Sequence, residues 1–216
     1  MSLPDVRIDK LKESEYEEVA AILVDAFESN LAYASIFVNK DRLRDGLFWL
    51  FKTNLYLINK RQSVTKVVRK KNSMEIIGVF SLLPPNGVKS EFRDYFKIGL
   101  PRFIMNFGFS ALRTMLKMDS LNKQLLTNAI GTNDYYYLSM VAVKANYQGS
   151  GIGSYMIDDC LLQLRSINRI CHIVGLTTQL PENVTFYTRL GFQKLDEGEI
   201  QLKKGCYYNY NMKLYL

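Results

Sequence analysis

Apolar and polar residues alternate from Val6 through "VRIDKL", the period of a half-buried strand. The period then lengthens. Ser14 precedes "EYEEVAAILVDAF", where Val19, Ile22, Leu23 and Phe27 recur at helical spacing. Glu17 stands three residues after Ser14, as a capping box requires. A second, strongly apolar helix is predicted over "DRLRDGLFWLFKTNLYLINK", from Asp41. "QSVTKVVRK" and "MEIIGVFSLL" read as two strands joined by the turn "KKNS", and Pro84-Pro85 closes the second.

Residues 89–130 depart from this rhythm. They are rich in Phe and Met and predict two or more helices, interrupted at Pro101 and Gly108. "YYYLSMVAV" (135–143), aromatic and β-branched, is the strongest strand signal in the chain. "SYMIDDCLLQLRSI" then predicts a helix with Met156, Ile157, Cys160, Leu161 and Leu164 on one face. "RICHIVGLTT" reads as a strand, "ENVTFYTRL" as a short helix ended by Gly191, and the tail from Phe192 as an antiparallel pair. No repeat, low-complexity tract or linker interrupts the series, so one α/β domain over 1–216 is expected.

Composition narrows the function classes. The 216 residues are 48% apolar and 23% charged, ordinary globular usage, and no run is long and apolar enough to predict a membrane span. The N-terminus lacks the apolar centre of a signal peptide, so a soluble, cytoplasmic protein without a membrane partner is expected. Three cysteines (Cys160, Cys171, Cys206) without CxxC spacing argue against a disulfide framework or cysteine zinc site. The single histidine, His172, rules out a site with several His ligands, and its apolar surroundings suit a strand position. No metal is expected. The net charge of +7 favours anionic partners, but it forms no long basic block and no nucleic-acid motif is present.

The chemistry concentrates in "ANYQGSGIGSYM". Tyr147-Gln148-Gly149-Ser150-Gly151-Ile152-Gly153 joins a predicted strand to a predicted helix. Glycines let the backbone approach a ligand closely, and a helix start offers free N–H groups and a partial positive charge. Together they form an anion site that needs no lysine. A P-loop is excluded, since no Gly-Lys-Ser/Thr occurs in the chain. A dinucleotide fingerprint is disfavoured, since the next strand, "HIVGLTT", brings no acid. A tight turn with glycines for packing alone is the remaining alternative.

Gln148, Gly151 and Gly153 meet a Q/R-x-x-G-x-G/A motif behind "MVAV". About 40 residues on, Asn183, Tyr187 and Gly191-Phe192 meet N-x-x-x-Y-x-x-x-G-F. Two separated motifs in this order resemble the GNAT superfamily of acetyl-CoA-dependent N-acetyltransferases, and the order of predicted elements agrees over the whole length. The resemblance implies a mixed central β-sheet of six to seven strands flanked by helices, with 89–130 as a helical insertion before the acetyl-CoA strand. The anion would then be the pyrophosphate of coenzyme A.

By the same resemblance, the backbone of Met140, Val141 and Val143 would pair with the pantetheine arm. Amides of Gln148, Gly149, Ser150, Gly151, Ile152, Gly153 and Ser154 would take the pyrophosphate. Asn183 would hydrogen-bond the pantetheine or cap its helix. Tyr187 would protonate the leaving thiolate as general acid, or else merely pack on its helix. An amine would attack the thioester directly.

No base is evident. Thr177 stands where relatives often carry Glu, and Tyr135 where they tend to have His, while Asp134 is a nearby carboxylate suited to a solvated strand end. The aromatic set Phe27, Tyr33, Phe37, Phe48, Trp49, Phe51, Tyr56, Phe103, Phe107 and Phe109 suits a core, with a remainder free to line an apolar acceptor pocket. A small-molecule amine acceptor is therefore expected, with the insertion covering its cleft. The oligomeric state stays open, a homodimer being compatible. The alternative is a non-catalytic acyl-CoA-binding sensor.

Overall fold

The computed structural model describes residues 5–216 apart from Val38, Ser63, Asn86, Lys89, Ser90, 168–170 and Lys204. The expected elements that reach into those positions are therefore described only in part. β1 (Val6–Lys10) leads to α1 (Tyr16–Phe27), the short α2 (Leu31–Ala34) and α3 (Leu43–Asn59). The hairpin β2 (Thr65–Lys70) and β3 (Ile76–Leu83) follows, then α4 (Phe92–Lys97) and α5 (Leu100–Ile130). β4 (Tyr136–Val143), α6 (Ile152–Ile167), β5 (Ile173–Thr178), α7 (Pro181–Arg189), β6 (Gln193–Leu202) and β7 (Gly205–Tyr215) complete the chain.

The strands form one seven-stranded mixed sheet in the order β1-β2-β3-β4-β5-β7-β6. Every neighbouring pair is antiparallel except β4 and β5. Successive residues feed opposite faces, as the pleat demands. Val67, Ile76 and Val79 enter a core with α1, α3 and α5, while Val68, Ile77 and Phe80 enter a second core with α6 and α7. The α6 face read from the sequence, Met156 to Leu164, is buried in that second core.

Three local expectations are corrected. Ser14 does not cap α1: the Glu15 carboxylate accepts from the Lys12 amide at 3.0 Å and from Arg69 at 2.7 Å, and a 3-10 turn over Glu13–Glu15 leads into the helix. Glu17 instead pairs with Lys52. Pro101 does not break a helix. It is the second residue of α5, where its missing N–H leaves no intrahelical bond unmade. The interruption lies at Gly108 (φ 81°, ψ 158°), where two helical stretches meet. His172 precedes β5 and is exposed rather than sitting in the strand.

The 89–130 insertion, described from Glu91 on, packs on the sheet. Phe103 and Leu112 of α5 join the first core, and Leu126 and Ile130 pack with Tyr135 and Ile173 farther along. Gly175 of β5 makes that approach possible: a Cβ there would lie 2.8 Å from Ile130 Cδ1 and 3.0 Å from Tyr135 Cδ2. Most of the aromatic set is core. Phe37, Phe51 and Phe103 are buried and Trp49 stacks on Phe103, whereas Phe109 is exposed.

Candidate active site

β4 and β5 run parallel but pair only at Tyr136 with Val174 and Tyr137 with Gly175. From Leu138 on, the edge of β4 that faces β5 is released from the ladder, so the sheet opens toward the carboxyl ends of both strands. Ligands of open α/β sheets bind at such strand ends. A bulge lies on the opposite edge of β4, against β3. Val79 pairs with Ala142 and Ser81 with Ser139, so Met140 and Val141 together oppose Phe80, and Met140 takes a positive φ of 50°. Bulges re-aim backbone groups, and a non-glycine residue with positive φ is uncommon enough to mark a constrained position. Met140, Val141 and Val143 are partly exposed here.

The glycine loop stands beyond the end of β4. Gln148 donates from its side-chain amide to the Val143 carbonyl at 3.0 Å, and Ser150 donates to the Tyr147 carbonyl, which together fix the loop's course. Gly149 (φ 74°) and Gly151 (φ 83°) are left-handed, and a Cβ on either would project into open space. α6 begins at Ile152 with no acid in its first turn, so the amides of Ile152, Gly153 and Ser154 start a helix end that suits an anion. At Gly153 an added Cβ would sit 3.3 Å from Phe186, so α6 starts close against α7. These features fit a nucleotide pyrophosphate: backbone donors, no opposing carboxylate in the turn, and room at both glycines.

Tyr187 lies on α7 with its ring buried between Phe186 and Phe192, at centroid distances of 5.0 and 5.6 Å. Its hydroxyl makes no hydrogen bond to a described residue. Burial, and then the Tyr137 phenol nearby, push its pKa well above the usual tyrosine range. Asn183 does not cap α7. Leu180 occupies the cap position, and the Asn183 amide donates to Thr178 Oγ1 at 3.0 Å, tying the helix to the end of β5.

Asp134 and Tyr135 lie away from the opening. Asp134 precedes β4, at the closed end of the β4–β5 pair, and is exposed. Tyr135 is buried there with its hydroxyl 2.9 Å from Thr127 Oγ1. Thr177, in contrast, is at the opening, with its Oγ1 3.1 Å from the Tyr137 hydroxyl.

The structure also gathers groups that the sequence pattern does not single out. Tyr33 on α2, Tyr187 on α7 and Tyr207 on β7 lie within electrostatic reach of Tyr137 on β4, and burial raises all four phenols, Tyr207 to about 12. Asp119 on α5 acts on Tyr137 as well. The sequence offers one cue to this acid: it sits in "MLKMDSLNKQL", among Met and Leu at helical spacing.

The sheet thus opens between two parallel strands above a glycine loop and a helix start. Residues 122–194, from the end of α5 to the start of β6, match the family described as acetyltransferase (GNAT) domain. The match spans about a third of the chain and takes in the glycine loop and α7. No curated protein matches it in sequence.

Among solved structures, the chain is similar to one described as histone acetyltransferase HPA2 and related acetyltransferase from Corynebacterium glutamicum. The identity is 18% and the TM-score 0.61, over 99% of this chain and 96% of that one. An insect protein assigned as arylalkylamine N-acetyltransferase 7, from the yellow fever mosquito, is 14% identical with a TM-score of 0.64, over 97% and 87%. A Drosophila melanogaster polyamine N-acetyltransferase is 10% identical with a TM-score of 0.57, over 98% and 100%. At these identities the likeness is one of fold. Among the described residues no group of acids, histidines or cysteines could hold a metal ion, and no helix is long and apolar enough to cross a membrane.

Proposed function

We propose that the chain transfers an acetyl group from acetyl-CoA to the amine of a small molecule by direct attack, with Tyr187 as general acid. The observation that carries this reading is the opening between β4 and β5, with the glycine loop at its end and the Tyr187 hydroxyl, free of protein partners among the described residues, on the adjoining helix. Acetyl-CoA supplies the activated acyl group. The residues present fit it: the β4 edge at Met140, Val141 and Val143 offers backbone groups to the pantetheine. The amides from Gln148 to Ser154 take the pyrophosphate, and Asn183 keeps α7 against β5 beside the arm.

Tyr187, like any phenol, carries its proton at neutral pH and can give it to a thiolate that forms beside it, although burial makes it a weaker acid than an exposed tyrosine. A covalent acyl-cysteine route has no support. Burial pushes the Cys160 thiol up to about 11, and Glu199 holds the Cys206 thiol up as well.

A small acceptor is favoured over a protein tail because α5 packs beside the opening, with Met115 and Met118 in the same cluster as Met140. The arylalkylamine and polyamine enzymes sharing the fold support an amine acceptor of this size. Incubation with acetyl-CoA and a panel of arylalkylamines and diamines tests the reading, with the N-acetylated product detected by mass. Tight acetyl-CoA binding without any product would favour a non-catalytic sensor instead.

A further inference from the structure

We propose that Gln179 is a positioning residue: through a one-way chain of side-chain amides it holds α2 against the carboxyl end of β5, and so sets the wall that the acceptor amine meets. This inference rests on the acyltransferase function proposed for the chain and concerns the acceptor side of the same opening.

Three consecutive residues fasten the free end of β5. Past Gly175, the last residue paired to β4, the strand has lost its neighbour on that side. The Thr177 hydroxyl bonds that of Tyr137 on β4 at 3.1 Å, and Thr178 accepts from Asn183 on α7 at 3.0 Å. Gln179 reaches two more elements. Its Oε1 accepts from Asn30 Nδ2 at 3.1 Å, and its Nε2 donates to Asn209 Oδ1 on β7 at 3.1 Å.

The chain continues in one direction. Asn209 donates to Asn211 Oδ1 at 3.1 Å, and Asn211 donates to the Asp196 carboxylate on β6 at 2.6 Å. An ionised carboxylate only accepts, so Asp196 fixes which way every amide before it must face. Asn30, Asn209 and Asn211 are buried, where an unmade hydrogen bond is costly. Asn209 and Asn211 are two apart on β7 and share a sheet face, and Asn211 stands opposite Thr177 in the ladder. The amides therefore cross the sheet beside the bond between Tyr137 and Thr177, at the opening.

The far end of the chain is α2. Asn30 caps this helix by accepting from the Ala32 amide at 3.0 Å, which leaves its NH2 group for Gln179. Tyr33 packs on Phe27 and Phe51, at centroid distances of 6.0 and 5.6 Å, in the core that Met140 also joins. That core lies on the sheet face opposite the one holding Tyr187. With Tyr187 placed for the sulfur on one face, the acceptor reaches the thioester from the other, past α2. A helix of four residues cannot hold its place by its own hydrogen bonds, so the tie at Asn30 decides where this wall stands.

The direction of the chain supplies the test. In Gln179→Glu the side chain can no longer donate, so Asn209 and Asn211 must turn round, and Asn211 then presents oxygen to the Asp196 carboxylate. Adding Asp196→Asn to that protein restores a donor at this end. Wild type, Gln179→Glu and the double variant are compared with acetyl-CoA and the fastest acceptor among phenethylamine, tryptamine and 1,4-diaminobutane.

Gln179→Glu should raise KM for the amine about tenfold, the scale of one unmade buried hydrogen bond, with kcat and the acetyl-CoA Kd little changed. The double variant should return to within about threefold of wild type. An unchanged KM in Gln179→Glu would overturn the proposal, and so would a loss that Asp196→Asn does not relieve. An acetyl-CoA Kd weakened to the same extent, the mark of general damage, would overturn it too. Each of these results leaves the acyltransferase function standing. A wild type that binds acetyl-CoA but acetylates no amine would instead remove that function, and this role with it.

Discussion

The Tyr137 hydroxyl lies 3.1 Å from Thr177 Oγ1, two positions past Gly175, the last β5 residue paired to β4. Side chains thus bridge two strands at the point where their backbones have parted. The bond is partly buried, and breaking it leaves a phenol to find another partner. Thr177→Val should cost about 1 kcal/mol, a fall in melting temperature of roughly 2–4 °C for a chain of this size, readable by calorimetry.

Gly175 allows α5 to reach the sheet. Gly175→Val would place its Cβ within 2.8 Å of Ile130 and 3.0 Å of Tyr135, and its two methyl groups nearer still. The expected cost is about 1–3 kcal/mol of overpacking. Because the strain falls at the closed end of the β4–β5 pair, acetyl-CoA affinity measured on the folded fraction should change little.

Gly151 is the opposite case. A Cβ there meets nothing within 4 Å, so the penalty of Gly151→Ala is confined to its left-handed backbone, about 1–2 kcal/mol. The methyl group would nevertheless project where a pyrophosphate is expected. Isothermal titration should show acetyl-CoA binding weakened at least tenfold, against a modest loss of stability.

Asp94 gives the chain a dependence on acid. Its side chain is buried, paired with Lys60, and accepts from the Glu91 amide at 2.8 Å. The Lys60 bond, then that amide, hold its carboxyl below the usual range. A depressed carboxylate contributes its full stability above the unfolded-state value of about 3.9 and loses it as pH falls through the lower folded value. Asp94→Asn should therefore be less stable than wild type at pH 7, with the difference shrinking below about pH 4. Melting temperatures taken across pH 2–7 would show it.

The strands and most helices were legible because each buries a face, and a buried face leaves a period in the sequence. The left-handed glycines of the loop and the place of Tyr187 on α7 were legible because loop geometry and helix spacing are local. The Ser14 cap was misread for a tertiary reason: Glu15 is drawn to Arg69, on a strand far along the chain, and this fixes the turn before α1. Tyr137 and Thr177 are 40 residues apart and meet only through the parallel pairing, which nothing local announces.

The central claim is that acetyl transfer occurs at this opening, with Tyr187 protonating the departing sulfur. The most direct test is the rate of coenzyme A release from acetyl-CoA, with and without an amine acceptor, for wild type beside Tyr187→Phe. Amine-dependent release in wild type should fall by about 10²-fold in Tyr187→Phe while acetyl-CoA affinity stays the same. Equal rates in the two proteins would contradict the role given to Tyr187, and no amine-dependent release in wild type would contradict acetyl transfer at this site altogether.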